Sequence, residues 1–225
     1  GPDTVFEIGS VTKVFTTTVL ADEVLNGDLS LDRPAQDYAP PGMMLPMRDG
    51  KAITLAHLAE QNSGLPRLPG NLDLSKVDMT NPYAAYTTDM LNAFLGSYAL
   101  PRNPGAEFEY SNLGMGLHGN LLAHSAGQSY EDMVRTSILS PLGMTHTGIT
   151  LTPEMQTRLA KGHDAAGKPA ANWDLPSLAG AGALRSTMTD MLKFLDANIG
   201  EPKNNLERAK RMAHGGASLQ VGVYL

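Results

Sequence analysis

The stretch FEIGSVTKVFTTTVLADEVLNG, residues 6 to 27, decides how the chain is interpreted. Its apolar and threonine side chains recur at helical spacing and its final Asn-Gly pair supplies a left-handed stop, so the pattern predicts a helix from about Gly9 to Asn26. Ser10 and Lys13 lie three residues apart near the start of this helix. Because positions i and i+3 share one helix face, the Lys13 amine can reach the Ser10 hydroxyl.

Two interpretations of this pair are open. In the first, Ser10 is a nucleophile and Lys13 accepts its proton, which requires burial or nearby positive charge to lower the lysine pKa. The apolar residues around the pair would bury the turn: Phe6, Ile8, Val11, Val14 and Phe15. In the second, Ser10 caps the helix and Lys13 faces water, which is the usual outcome for a Ser-x-x-Lys pair.

A second candidate element is Tyr110-Ser111-Asn112, one hundred residues after Ser10. A phenol beside an ammonium has a lowered pKa, so Tyr110 can pass a proton between the serine oxygen and a leaving group. Asn112 can hydrogen-bond Lys13 or a substrate amide. Taken alone, the same tripeptide is typical of a loop whose asparagine caps the next helix.

Composition excludes several classes of function. The 225 residues carry a net charge of −6 with no basic run, which argues against nucleic acid and membrane surfaces as partners. The chain has no cysteine, so disulfides and thiolate chemistry are excluded. The histidines show no spacing suited to zinc, and neither a metal nor another cofactor is expected.

The remaining pattern predicts a mostly helical chain. We expect a short helix capped by Thr54, a helix beginning near Thr88, and a closely packed helix from Leu113 to Ala126. Two more helices are expected, one within residues 129–144 and one capped by Thr187 or Thr189. Only HTGITL (146–151) and LQVGVYL (219–225) have the composition of strands.

Taken together, these motifs resemble the serine β-lactamase and penicillin-binding protein superfamily, closest to its class C β-lactamase and related family VIII esterase branch. The resemblance runs in order through FEIGSVTKVFT, ITLAHL, SGLP, PGAEFEYSNLGMGLHGNLL, ILSPLGMTHT and AGALRSTMTDMLKFL. It implies an α+β, β-lactamase/transpeptidase-like fold of which this chain is mostly the helical portion. It also implies that Ser10 is acylated, that Lys13 and Tyr110 share the acid and base work, and that Asn112 contacts substrate.

The resemblance also implies a third motif, Lys-Thr-Gly or His-x-Gly, on a strand that supplies part of the oxyanion hole. His214-Gly215-Gly216 has the letters of this motif but follows a helix-like segment. We therefore expect one domain over residues 1–225 that lacks strands of the central antiparallel sheet at both ends. One oxyanion donor is expected at the Ser10 N–H and the other beyond Leu225.

The function implied is that of a serine acyl hydrolase acting on a small molecule, with β-lactam hydrolysis as the first expectation. A carboxylesterase or a D-amino peptidase would use the same residues. A non-catalytic truncated homologue that only binds a ligand or partner is the alternative of another class. Unpaired sheet edges would favour homo-oligomers, and the resemblance implies a periplasmic or secreted location.

Overall fold

The computed structural model describes residues 1–199 and 201–213, and most of its regular structure is helical. The described helices are α1 (Thr12–Asn26), α2 (Leu55–Ala59), α3 (Thr88–Ser97), α4 (Asn112–Ala126), α5 (Tyr130–Val134), α6 (Pro153–Thr157), α7 (Ala179–Gly182), α8 (Met188–Asp196) and α9 (Asn205–Ala213). None of the helices within these ranges has the length and hydropathy needed to cross a bilayer. The prediction of a mostly helical chain is confirmed.

The helix ends follow the capping residues of the sequence. Thr54, Ser111 and Thr187 accept a hydrogen bond from a backbone N–H in the first turn of α2, α4 and α8, respectively. The helix predicted within residues 129–144 is α5, which continues as a π-helical turn, Arg135–Leu139. The predicted helix positions are therefore confirmed, and side-chain oxygens fix the starts of α2, α4 and α8.

The strands are short and lie where the sequence pattern did not predict them. Strand β1 (Val5–Glu7) pairs antiparallel with β6 (Arg185–Thr187), and Glu7 lies opposite Arg185. Two further pairs join β2 (Met47–Arg48) to β3 (Lys51–Ala52) and β4 (Gly162–His163) to β5 (Pro169–Ala170).

The expectation of a strand in HTGITL is wrong, because in that segment only Gly148 makes a bridge, to Arg185. The backbone N–H groups of Ile149 and Thr150 instead donate to the Glu131 carboxylate. A side chain of another element has thus replaced the strand partner. The predicted strand LQVGVYL and the motif candidate His214-Gly215-Gly216 lie outside the described residues.

Helix α1 lies at the centre of the packing. A 3-10 turn, Gly9–Val11, leads into it, and the helix ends at a left-handed Gly27 as predicted. It packs against α4, α5, α7 and α9, and its Phe15 ring stacks on Phe194 of α8 with the ring centroids 4.2 Å apart. Lys13 therefore lies in a largely buried helix, and Ser10 lies in the turn that leads into it.

Helices α4 and α7 touch through their backbones. A β-carbon on Gly180 would lie 2.7 Å from the Met115 carbonyl oxygen and 3.1 Å from the Gly119 α-carbon, so only glycine fits at this contact. The Thr16 hydroxyl of α1 donates to the Gly180 carbonyl at 2.8 Å and lies 2.6 Å from the Tyr130 hydroxyl. The carbonyl groups of α7 are therefore held against α1.

One polar side chain of α4 lies in the core without a partner. His118 is fully buried, and neither ring nitrogen has a hydrogen-bond partner in the described part of the chain. Burial lowers the pKa of His118 to about 3, since the imidazolium ion would be desolvated there. The folded protein therefore takes up this proton at much lower pH than the unfolded chain does.

We predict that His118 makes the fold acid-sensitive. Between the unfolded pKa of about 6.5 and the folded pKa, the unfolded state binds more protons, so the free energy of unfolding falls as the pH falls. From pH 7 to pH 4.5 this group should cost about 3 kcal/mol. Urea unfolding at both pH values should show that His118→Leu loses this dependence while His163→Leu, at an exposed position, keeps it. Parallel losses in both variants would contradict the prediction.

Candidate active site

Ser10 lies in the 3-10 turn that precedes α1, and its side chain is exposed. Gly9, the first residue of this turn, has a φ of 49°, a left-handed conformation that favours glycine. The pairing of β1 with β6 continues past both strands, because the Ile8 N–H donates to the Leu184 carbonyl at 3.1 Å, and on the other side of β1 the Val5 N–H donates to the Arg158 carbonyl at 2.9 Å. The serine hydroxyl is therefore presented at a corner between the sheet and the helix.

Ser10 does not cap a helix in the structure. The residue before α1 is Val11, and no side chain caps either α1 or the turn before it. Ser10 Oγ instead accepts two hydrogen bonds, from Lys13 Nζ at 3.1 Å and from the Tyr110 hydroxyl at 2.7 Å. Lys13 does not face water, since its side chain is only 8% exposed. The first of the two interpretations has the geometry that it requires.

Lys13 Nζ has three oxygen acceptors. Besides Ser10 Oγ, it donates to Asn112 Oδ1 at 2.9 Å and to the Ala181 carbonyl at 2.7 Å. Asn112 Oδ1 and the Ala181 carbonyl oxygen can only accept hydrogen bonds, so each holds one N–H group of the Lys13 amine. The remaining position on the nitrogen faces Ser10 Oγ. In the neutral amine that third position is a lone pair aimed at the serine hydroxyl.

Tyr110 reaches Ser10 from the segment before α4. Ser111, the next residue, caps α4 through Gly114 N–H and also donates its own N–H to Gln61 Oε1 at 2.6 Å. The Tyr110 ring centroid lies 4.8 Å from Lys13 Nζ and 5.0 Å from the Arg67 guanidinium carbon. Two cations thus flank the phenol that donates to Ser10.

The electrostatic environment shifts both proton-carrying groups. Burial lowers the pKa of Lys13 and Arg67 lowers it further, although the contact with Tyr110 opposes this. Burial alone would raise the pKa of Tyr110, but its contacts with Lys13 and Ser10 and the charges of Lys13 and Arg67 bring that pKa below its usual value. Both groups therefore release a proton at lower pH than in water.

The structure brings together all four predicted site residues: Ser10, Lys13, Tyr110 and Asn112. It adds two groups that the sequence analysis did not select. The Ala181 carbonyl belongs to the backbone and carries no residue-type signal, whereas Arg67 follows the SGLP segment and could have been noted as a charge beside it. Within residues 1–199 and 201–213, no group of three or more His, Cys, Asp or Glu side chains is placed to hold a metal ion.

Fold and site together define a class, the serine β-lactamase and penicillin-binding protein superfamily, in its β-lactamase/transpeptidase-like fold. The profile of the Beta-lactamase family matches residues 1–222, and the chain belongs to that family.

Characterised relatives agree with this assignment. The chain is 30% identical to the D-alanyl-D-alanine-carboxypeptidase/endopeptidase AmpH of Escherichia coli K12 over 217 residues, which is 94% of this chain and 54% of AmpH. It is 31% identical to a β-lactamase of Pseudomonas fluorescens over 218 residues, which is 95% of this chain and 56% of that protein. The chain thus spans about half the length of these relatives.

Solved structures of β-lactamases and D-alanine carboxypeptidases are also similar to this chain. A β-lactamase/D-alanine carboxypeptidase from Yersinia pestis, crystallised with citrate, superimposes with a TM-score of 0.80 at 31% identity, covering 93% of this chain and 59% of that one. A class C β-lactamase gives a TM-score of 0.79 at 26% identity and covers 96% of this chain and 56% of that one. The expected helix-rich portion of a β-lactamase-like fold is confirmed, and the relatives support a hydrolase.

Proposed function

We propose that this chain is a serine acyl hydrolase in which Ser10 forms the acyl-enzyme, with a β-lactam as the first candidate substrate. The observation that supports it most directly is the pair of hydrogen bonds that Ser10 Oγ accepts from Lys13 Nζ and the Tyr110 hydroxyl. A nucleophile within hydrogen-bond distance of two groups of lowered pKa is the arrangement that nucleophilic catalysis needs.

The chemistry follows from these contacts. The Ser10 hydroxyl gives its proton to the Lys13–Tyr110 pair while its oxygen forms a bond to the acyl carbon. The carbonyl oxygen becomes an oxyanion, for which the Ser10 N–H in the first turn is one candidate donor. The bond to the leaving nitrogen or oxygen then breaks, and the pair returns the proton to that atom. Water then gives a proton to the same pair and bonds to the acyl carbon, the bond from that carbon to Ser10 Oγ breaks, and the pair returns the proton to Ser10 Oγ.

Asn112 has a supporting role in this scheme. Its Oδ1 accepts from Lys13 Nζ, so its amide NH₂ points away from the lysine. Asn112 also lines the pocket beside Ser10. These contacts support the proposal that the Asn112 NH₂ group donates to an amide carbonyl of a bound acyl group.

Three substrate classes follow from the relatives and the site. β-Lactams stand first because the Pseudomonas fluorescens relative is a β-lactamase. A D-alanyl peptide is the second candidate, favoured by the carboxypeptidase relatives. Simple esters would use the same nucleophile and proton pair, and the geometry at Ser10 does not depend on the leaving atom.

The experiment is to incubate the chain separately with a fluorescent penicillin, p-nitrophenyl acetate and a peptide ending in D-Ala-D-Ala, and to follow product and intact mass. A β-lactam adduct retains the whole ring-opened lactam, whereas the ester and the peptide lose their leaving groups. We expect an adduct with the penicillin that unlabelled penicillin prevents. Slow loss of that adduct would indicate a penicillin-binding enzyme, and fast turnover a β-lactamase.

If the ester or the peptide forms an adduct and the penicillin does not, the substrate is an ester or a D-alanyl peptide instead of a β-lactam. If none of the three reagents yields an adduct or product, the proposal is wrong. The non-catalytic interpretation, a homologue that only binds a ligand or partner, would then hold for this chain.

A further inference from the structure

The last two carbonyl groups of α7 that face α1, those of Gly180 and Ala181, lack helical donors. In a continuing helix each would accept from the N–H group four residues further on. The Leu184 N–H donates instead to Thr12 Oγ1 at 3.2 Å, and the N–H of the next residue, in β6, donates to the Gly148 carbonyl at 2.9 Å. This carbonyl pair is therefore available to side chains.

Helix α1 supplies the donors that the carbonyl pair lacks. Lys13 Nζ donates to the Ala181 carbonyl at 2.7 Å, and the Thr16 hydroxyl donates to the Gly180 carbonyl at 2.8 Å. Lys13 and Thr16 lie three residues apart, on one face of α1. The two hydrogen bonds are therefore neighbours, and a displacement of one carbonyl displaces the other.

Tyr130 of α5 completes a chain of hydrogen bonds to the same place. Its hydroxyl lies 2.6 Å from Thr16 Oγ1, and burial raises the pKa of Tyr130 above its usual value, so the phenol stays protonated. A hydroxyl has one proton, and the Gly180 carbonyl lies nearer to Thr16 Oγ1 than its other acceptor, the Thr12 carbonyl at 3.3 Å. The proton of Tyr130 therefore points to Thr16, and that of Thr16 to Gly180.

Helix α7 has few other means of holding its position against α1. Its four residues are alanines and glycines, and no side chain caps its start. Removal of the Thr16 hydroxyl would leave the Gly180 carbonyl and the Tyr130 hydroxyl buried without this partner, which is unfavourable. A shift of α7 relieves that cost, and the Ala181 carbonyl moves with it.

We propose that Thr16 and Tyr130 are positioning residues for the acylation of Ser10. They hold the carbonyl pair where Ala181 accepts from Lys13, and so keep the remaining position of the lysine nitrogen directed at the Ser10 hydroxyl. Both act through α7 and not by contact with the substrate. The inference rests on the proposed function, since it concerns the orientation of the base in the same reaction.

The test measures acylation by p-nitrophenyl acetate as a function of pH. Thr16→Val removes the hydroxyl and keeps the branched shape, and it should lower the high-pH plateau of the rate by about 10-fold, because a small displacement of a catalytic group is costly. Thr16→Ser keeps the hydroxyl and should restore the rate. Thr18→Val is the matched control, because Thr18 is buried in the same helix and its hydroxyl bonds within α1, to the Val14 carbonyl.

The midpoint of the pH–rate profile reports on the lysine itself. The Ala181 carbonyl stabilises the ammonium form of Lys13, so its displacement in Thr16→Val should move the midpoint to lower pH by about half a unit or more. The charged and titratable groups that face Lys13, Tyr110 and Arg67, are the same in every variant. A smaller folded fraction alone would lower the plateau and leave the midpoint where it is.

Tyr130→Phe provides a second variant, which decides the matter if Thr16→Val does not fold. It removes the donor to Thr16 and leaves the bond from Thr16 to Gly180 possible, so both changes should appear to a smaller extent. An unchanged plateau and midpoint in these variants would overturn the proposal. Equal losses in Thr18→Val would do the same, because they would not depend on α7.

A readout without reaction separates this inference from the proposed function. The ¹³C resonance of the Lys13 ε-carbon, identified by its absence in Lys13→Ala, follows the titration of the amine directly. If the unaltered chain is not acylated, the proposed function is wrong, and a Lys13 midpoint that falls in Thr16→Val but not in Thr18→Val keeps the positioning role. If the chain is acylated and the midpoint is equal in all variants, the function stands and the positioning role is wrong.

Discussion

Replacement of Ser10 by alanine is expected to abolish acylation of the chain. The hydroxyl is the only serine oxygen in the described part of the chain that accepts from both a lysine amine and a tyrosine hydroxyl. Loss of a nucleophile of this kind typically costs on the order of 10⁴- to 10⁶-fold in rate, so labelling by a fluorescent penicillin or an activated ester should fall below detection. Peptide mapping of the unaltered chain should find the adduct on Ser10.

Other serines provide the control for this prediction. Ser63 and Ser111 are buried, and the Ser111 hydroxyl already caps α4. Ser75 is exposed and bonds only locally to Asp73, so Ser75→Ala should label like the unaltered chain. An adduct on Ser63 or Ser111, or undiminished labelling of Ser10→Ala, would show that the nucleophile is another residue.

A second large loss of acylation rate is expected when Lys13 or Tyr110, the two residues that exchange the Ser10 proton, is replaced. Lys13→Ala and Tyr110→Phe should each slow acylation by about 10²- to 10⁴-fold, because each removes a group that contacts Ser10 Oγ. The double variant should be little slower than the worse single one, since the two groups titrate together and move the same proton. Rates of acylation by p-nitrophenyl acetate for the three variants give the coupling.

The pH dependence of acylation adds a check on the same pair. A base must be deprotonated to accept the Ser10 proton, so the rate should rise with pH through the pKa of the pair. Because burial and Arg67 hold the pKa of Lys13 below its usual value, this rise should lie below that of a solvated lysine. Multiplicative losses in the double variant would show that Lys13 and Tyr110 act separately. A rise only at strongly alkaline pH would contradict a lowered pKa of Lys13.

The features of the fold and site that the sequence predicts depend on residues close together in the chain. Thr54 could be named as a cap, and Thr187 as one of two candidates with Thr189, because a hydroxyl before an apolar period satisfies free N–H groups at a helix start. Lys13 could be paired with Ser10 from helical spacing, and burial of that helix followed from its apolar neighbours. The link to Tyr110 and Asn112 spans about one hundred residues and needed the family resemblance.

What could not be predicted depends on long-range contacts. Strand β1 has three residues, too few for a period, and is defined by pairing with β6 far along the chain. The Ala181 carbonyl is a backbone group, so no side-chain pattern marks it. The Trp173 N–H donates to Glu7 and its carbonyl accepts from Arg185, two residues that are distant in sequence and lie opposite each other in the paired strands β1 and β6.

The glycine contact between α4 and α7 has a consequence for thermal motion at the lysine. Side-chain rotamer changes are a main source of fast fluctuation inside proteins, and a contact between Gly119 and Gly180 contains no rotamers. The carbonyl of Ala181, one residue further on, therefore moves only as the backbone moves. A change in the distance between this acceptor and Lys13 Nζ therefore requires movement of the α7 backbone or of the Lys13 side chain itself, which is buried.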